Sequence, residues 1–264
     1  MPELPEIFNI SQQLNQELIG RTITNVTIHQ EKCLNYPISE FSKLVTSNII
    51  TKVSSLGKWI FIYFESEDNL AINLGMGGDL LYVDTPPTKK HQAVLYLDNN
   101  KLLSFRFWWF GYIHFHQQGD AHPMTDQLGI DPIRSDISKT DFIALFKGKK
   151  GSLKTFLLNQ KNLAGIGNYY IHDILYNAKI NPNAKMNDLS THKLGMLYTS
   201  IIDELNTAIQ LRGAHYELDI YHQPGHFRVS KVAYKDGQPC QCGTTILKVK
   251  TGATSSYYCP KCQK

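Results

Sequence analysis

Residues 5–29 read PEIFNISQQLNQELIGRTITNVTIH, and two hydrophobic periods meet inside that stretch. Ile7, Ile10, Leu14 and Leu18 recur at steps of three and four, which lines one face of an amphipathic helix. Gly20 follows where a helix ends in a left-handed cap. From Thr24 to His29 the apolar positions fall on every second residue, the period of a half-buried strand. A helix that gives way to strands predicts an α+β chain.

The strand signal continues through Lys58 to Glu65, Asn69 to Leu74, Asp79 to Val83, Ala93 to Leu97, and Leu102 to His116. Gly, Asp-Asn, Asn-Asn and Pro-Pro separate these runs, which suits an antiparallel sandwich. Beyond about residue 130 the period turns helical: Asp141 to Lys147, Leu153 to Asn159, Tyr169 to Asn177, and a long segment from Leu189 to Leu211. We expect an N-terminal helix plus antiparallel β-sandwich over residues 1–130, a helical domain over 131–228 and a β-hairpin over 229–264. A linker is expected between about 118 and 136.

With 42% hydrophobic and 19% charged residues among 264, the chain is too apolar for disorder and long enough for two modest cores. Lys and Arg number 27 against 23 Asp and Glu, a net charge of +4 that permits an anionic partner. No window approaches the roughly 18 uncharged apolar residues of a membrane span. The N-terminus opens with Pro and Glu and not with a basic stretch before an apolar one. A soluble, unexported, cytoplasmic and monomeric protein is expected, nucleoid-associated if the source is prokaryotic.

Cys240, Cys242, Cys259 and Cys262 crowd into the tail as C-x-C and C-x-x-C separated by sixteen residues. Two such pairs on neighbouring turns supply four thiolates in a tetrahedron, and a closed four-thiolate zinc site is structural because no position remains for water or substrate. Zinc there would replace a core that the tail is too small to build; the alternative is four reduced cysteines without metal. The first knuckle is one residue short of the usual spacing, so strain at Cys240 or looser metal binding is expected.

Pro2 follows the initiator Met, and removal of that Met would leave a secondary amine at the N-terminus. An α-amino group titrates near 8, so a useful fraction is a neutral nucleophile at physiological pH. Attack of such an amine on a sugar C1′ expels a base and forms a cationic iminium, which acidifies the neighbouring carbon and leads to strand scission by elimination. Glu3 is placed to move protons in both steps. By itself Pro5-Glu6 can equally be an ordinary helix start.

The run Pro2-Glu3-Leu4-Pro5-Glu6 resembles the start of the formamidopyrimidine-DNA glycosylase and endonuclease VIII family, bifunctional enzymes that excise oxidised bases. Gly57-Lys58-Trp59 is similar to its glycine-lysine turn, Leu74-Gly75-Met76-Gly77-Gly78 to its LGM-x-G segment, and Phe110-Gly111 to the end of its RRFG segment. Asn159-Gln160, Ala164-Gly165-Ile166-Gly167-Asn168 and Ala178-Lys179-Ile180-Asn181-Pro182 resemble its helix–two-turn–helix signature, and Pro239 to Gln263 its zinc finger. The resemblance implies damaged double-stranded DNA as partner, Pro2 as nucleophile, Glu3 as proton shuttle and Lys58 as electrostatic support. It also implies Met76 and Phe110 as wedges into a vacated base stack, and Lys154 and Asn168 as phosphate contacts. The cluster Lys147-Gly148-Lys149-Lys150 suits phosphates or is a solvated face.

The sequence departs from that pattern at several places. Trp108 and Trp109 stand where two arginines are expected; they can stack in the DNA but cannot read a cytosine edge as guanidinium does. Thr254 stands where a phosphate-gripping arginine is usual, a loss of about 1.5–3 kcal/mol of charge-assisted contact. Asp173 replaces a common glutamate, read as a minor packing change, and Leu211 to Phe227 is unlike the usual lesion-capping loop. An active glycosylase and lyase with altered opposite-base preference is the favoured expectation. A weakly active or inactive DNA-binding scaffold is the alternative.

Overall fold

A computed structural model describes residues 1–88 and 90–264. The chain divides into two compact units, residues 1–127 with 211–226, and residues 128–210 with 227–264.

The first unit opens with helix α1 (Leu4–Leu18), whose N-cap is Glu3. Glu3 and Glu6 form a reciprocal capping box, with Glu3 N donating to Glu6 Oε2 at 2.7 Å. Eight strands follow: β1 (Ile23–Ile28), β2 (Ile50–Leu56), β3 (Trp59–Phe64), β4 (Asn69–Asn73), β5 (Asp79–Val83), β6 (Ala93–Leu97), β7 (Leu102–Arg106) and β8 (Tyr112–His116), with helix α2 (Ile38–Val45) between the first two. They form two four-stranded sheets, ordered β1-β6-β7-β5 and β2-β3-β4-β8, with every pairing antiparallel. One core joins Ile7, Ile10, Leu14 and Leu18 of α1 to Ile60, Ile62 and Ile72 of one sheet and Leu95, Leu103 and Phe105 of the other. Each such side chain contributes about 1.5–3 kcal/mol on burial.

Residues 211–226, expected within the helical domain, pack instead on the first unit. Gln13 Nε2 donates to Asp219 Oδ2 at 2.8 Å, and Tyr221 OH to Glu17 Oε1 at 2.7 Å. Tyr82 N on the edge strand β5 donates to Ile220 O at 2.9 Å, and Ile220 joins the core. The segment thereby covers a sheet edge that would otherwise present unpaired amides.

The second unit holds α3 (Lys139–Ala144), α4 (Leu153–Leu158), α5 (Ile171–Asn177) and α6 (Thr191–Gln210), then the hairpin of β9 (Leu247–Thr251) and β10 (Thr254–Tyr258). Ser138 and Ser152 cap α3 and α4 by accepting from backbone N–H groups three residues on. The connection between α4 and α5 is braced by Gln160, which accepts from Gly165 N at 2.8 Å and donates to Ile166 O at 2.9 Å. Gly165 there takes φ +105, a conformation open to glycine.

Candidate functional site

In the first unit, the N-terminus of α1 is set by contacts that run antiparallel to β2. Asn15 Oδ1 accepts from Val53 N at 2.7 Å, and Ser11 Oγ donates to Ser55 Oγ at 3.2 Å. Continued by the same step, the line brings Glu3 and Pro2 toward the Gly57-Lys58 turn that joins β2 to β3. Gly57 takes φ +58, which lets two residues close the hairpin. Lys58 O accepts from Asn73 Nδ2 at 3.1 Å, and Asn73 Oδ1 accepts from Gly75 N at 3.0 Å. Pro2, Glu3, Lys58 and the Met76 turn thus lie at one end of the sandwich. Pro2, Glu3 and Lys58 are all buried.

Two carboxylates that the sequence reading did not single out shape this end. Glu6 Oε1 accepts from Ala214 N at 2.7 Å, so the same side chain that caps α1 anchors the 211–226 segment. A Cβ on Gly213 would fall 2.7 Å from that carboxylate, which accounts for glycine there. The spacing of Glu6 three residues after Glu3 is a capping-box signal that sequence could have supplied. Glu217 Oε1 lies 3.1 Å from the Met1 ammonium. Burial pushes the Glu217 carboxyl above its usual range, against the lowering effect of the ammonium. No local pattern marks Glu217, because its partner is 216 positions away.

Beside this end, the expected strand from Leu102 to His116 is broken at residues 107–111, where the chain turns out of the sheet and presents Trp108, Trp109 and Phe110 to solvent. Met76 is exposed on the adjoining turn.

In the second unit, Lys154 and Asn168 are brought together, though not as two exposed phosphate contacts. Lys154 is 1% exposed, and the three N–H groups of its Nζ are shared among four acceptors, Asn168 Oδ1 (3.0 Å), Thr254 Oγ1 (3.0 Å), Ser255 O (2.7 Å) and Ser256 Oγ (2.8 Å). Burial lowers its pKa to about 8, while the ring of acceptors favours the ammonium. Where the sequence suggests a phosphate contact, the structure has this ammonium enclosed and tying α4 to the hairpin. Asn168, half-buried, accepts that bond through Oδ1, and its Nδ2 has no acceptor among the described residues. Thr254, where an arginine was expected, contributes a hydroxyl to the Lys154 cage.

Asp173 is also more than a packing change. Its two oxygens accept from Ser230 N (2.7 Å), Lys231 N (2.9 Å), Val232 N (2.9 Å) and Ala233 N (3.0 Å), so the buried carboxylate holds the turn that leads into the hairpin.

The sulfurs of Cys240, Cys242, Cys259 and Cys262 all lie within 4.8 Å of one another. Cys240 and Cys262 are 3.9 Å apart, and Cys242 and Cys259 3.5 Å. A metal–sulfur distance of about 2.3 Å puts tetrahedral sulfurs about 3.8 Å apart, so the set fits zinc. The shortened knuckle closes through Gly243 N to Cys240 O and Cys240 N to Thr244 O, both 2.8 Å, and the left-handed residue of the turn is Gly243. Gln263, buried, accepts from Cys259 N and donates to Ile180 O, both at 2.9 Å, which pins the knuckle to the helical region.

A helix-capped antiparallel sandwich is thus joined in one chain to a helical unit that carries a four-cysteine hairpin. Family models match the formamidopyrimidine-DNA glycosylase N-terminal domain over residues 1–107 and its H2TH domain over 128–218. A zinc finger found in formamidopyrimidine-DNA glycosylase and isoleucyl-tRNA synthetase matches over 237–264. The formamidopyrimidine-DNA glycosylase of Pelotomaculum thermopropionicum is 32% identical over 274 residues, covering 100% of this chain and 99% of the relative. That of Desulforamulus reducens is 30% identical with the same coverage. The Lactococcus lactis enzyme in complex with N7-benzyl-Fapy-dG DNA superposes with a TM-score of 0.91 at 25% identity, covering 100% of each chain. Its complex with abasic-site DNA gives 0.89 at 25% identity over 99% of each. The chain belongs to the formamidopyrimidine-DNA glycosylase and endonuclease VIII family, a family of DNA glycosylases in base excision repair, and its hairpin is a structural zinc finger. Among the described residues no helix is long and apolar enough to cross a membrane.

Proposed function

We propose that the chain is a bifunctional DNA glycosylase and abasic-site lyase that excises oxidised bases from double-stranded DNA. The observation that carries the reading is the placement of Pro2 and Glu3 at the head of α1, directed by the Asn15 and Ser11 contacts toward the Lys58 turn. With Met1 removed, the Pro2 nitrogen attacks C1′ as Glu3 protonates the sugar ring oxygen or the departing base, and the C1′–N bond breaks. The attacking nitrogen then loses its proton, the C1′–O4′ bond breaks with the ring oxygen leaving as a hydroxyl, and a cationic iminium remains on the opened sugar. Its C2′ proton is acidic, and removal of that proton breaks the C3′–O bond, expels the 3′ phosphate and cuts the strand. The Lys58 ammonium stabilises phosphate charge beside the reacting sugar. Met76, Phe110, Trp108 and Trp109 fill the space of the extruded nucleotide, and Asn168 Nδ2 donates to a phosphate, with the Lys154 charge beneath it.

Borohydride trapping on a duplex with one abasic site tests the chemistry. A covalent adduct that mass spectrometry places on Pro2, absent from protein that retains Met1, is the expected result. The scaffold reading is favoured by Thr254, which removes a cation from the hairpin. Measurable DNA binding with a free Pro2 and no adduct would establish that reading instead.

Cys240, Cys242, Cys259 and Cys262 are the proposed zinc ligands. Cys259 is fully buried in a small cluster with Tyr176, Val232, Ile246 and Tyr257, and a metal there would add to a core too small to hold the knuckles by itself. In Cys259→Ser, elemental analysis is expected to find zinc falling from about one per chain to near zero, with loss of amide protection across β9 and β10. Full zinc in the variant would remove Cys259 from the ligand set.

A further inference from the structure

The turns at residues 74–78 and 107–111 are built as one piece. Met76 N donates to Trp109 O at 2.9 Å, and a Cβ on Gly75 would fall 2.2 Å from Trp109 O and 2.6 Å from Phe110 O. Below them, a Cβ on Gly111 would fall 2.0 Å from the Phe107 ring. Phe110 holds φ +58, a conformation that an aromatic residue keeps only where its surroundings over-determine it. This frame presents Met76, Trp108, Trp109 and Phe110, which are 47, 84, 60 and 62% exposed. Trp109 and Phe110 stack with ring centroids 5.2 Å apart and 25° between planes. The arginine that precedes the turn, Arg106, is engaged by Asp79 through Nε at 2.7 Å. Residues 107–111 carry no charge.

We infer that this rigid apolar platform occupies the vacated stack without reading the base opposite the lesion, so that the protein binds a lesion site equally well opposite any of the four bases. The inference rests on the proposed DNA contact of these four side chains. Base edges differ in their pattern of donors and acceptors, and the strongest discrimination comes from a group that satisfies two sites of that pattern at once. An indole offers one N–H donor and no acceptor, and the thioether and phenyl groups offer no donor. Stacking is available to every base, because each has a π-face. A platform of this composition contributes affinity and little discrimination.

Duplexes that carry an uncleavable tetrahydrofuran abasic analogue opposite A, C, G or T test this by fluorescence anisotropy at one fixed salt concentration. The four Kd values are expected to agree within about threefold, against the roughly 5-fold to 150-fold that a bidentate edge contact provides. A wider spread overturns the inference. Trp108→Ala with Trp109→Ala is expected to raise all four Kd values by a common factor of about tenfold; a rise confined to one opposite base overturns it as well. The readout is binding to DNA that cannot be cut, so absence of a borohydride adduct counts against the lyase chemistry alone.

Discussion

Pro2→Gly, in protein freed of Met1, is expected to cut abasic-site nicking by roughly 10²-fold to 10⁴-fold, while DNA affinity changes little. Glycine still offers an amine, so the loss is a statement about which amine the chemistry uses. A secondary amine condenses with an open sugar to an iminium with no N–H to lose, and the product keeps its charge until elimination has occurred. A primary amine gives an imine that is neutral unless protonated, and the acidity of C2′ falls whenever that proton leaves. Pro2 is also held in place, being buried directly before the Glu3 cap of α1, whereas a glycine there would sample a wider range of φ. Single-turnover nicking and binding to uncleavable DNA, measured side by side, separate the two effects. Native nicking in Pro2→Gly would remove the N-terminal amine from the mechanism.

The features on which that prediction stands were legible to different degrees. The α1 periodicity, the strand runs and the cysteine spacing are local, and each produced its element within a few residues. Strand β2 was missed because its register shifts between Ile50 and Lys52, which throws Ile50 and Val53 out of step with a two-residue period. Helix α2 is eight residues long and buries two side chains, Phe41 and Val45, too few to show a period. The run from Leu102 to His116 has strand composition throughout, yet the positive φ of Phe110 belongs to a turn, and composition does not report a dihedral angle.

At the candidate site the limits were of another kind. Lys154 reads as one more cation in a basic stretch, and only the arrival of Thr254, Ser255 and Ser256 a hundred residues later shows that its ammonium is enclosed. Residues 211–226 follow a long helix in sequence but belong to the sandwich, because Glu6, Gln13 and Glu17 hold them there. In each case a charged or polar side chain is matched to a partner far along the chain, and one sequence alone carries no record of the pairing.

Asp173 is the strongest example, and Asp173→Ala is expected to destabilise the second unit by about 4 kcal/mol, lowering its melting temperature by on the order of 10 °C. The carboxylate receives four backbone N–H groups from consecutive residues, and two of the donors, on Val232 and Ala233, belong to buried residues. Alanine leaves both without a partner, at about 1–3 kcal/mol each, and removes the charge that strengthens all four bonds. Asp173→Asn separates this account from one based on packing. Asparagine has nearly the same shape, but one of its two terminal groups is an NH2 that would face two amide donors, so the variant is expected to melt close to alanine's temperature. The damage should pass to the zinc finger, because the turn held by Asp173 carries Val232, which packs against Cys240 and Cys259. Amide exchange over residues 230–263 is therefore expected to rise in both variants, and zinc to be released at a lower chelator concentration. Melting of Asp173→Asn at the native temperature would show that the side chain acts through its volume and that the four amides find other acceptors.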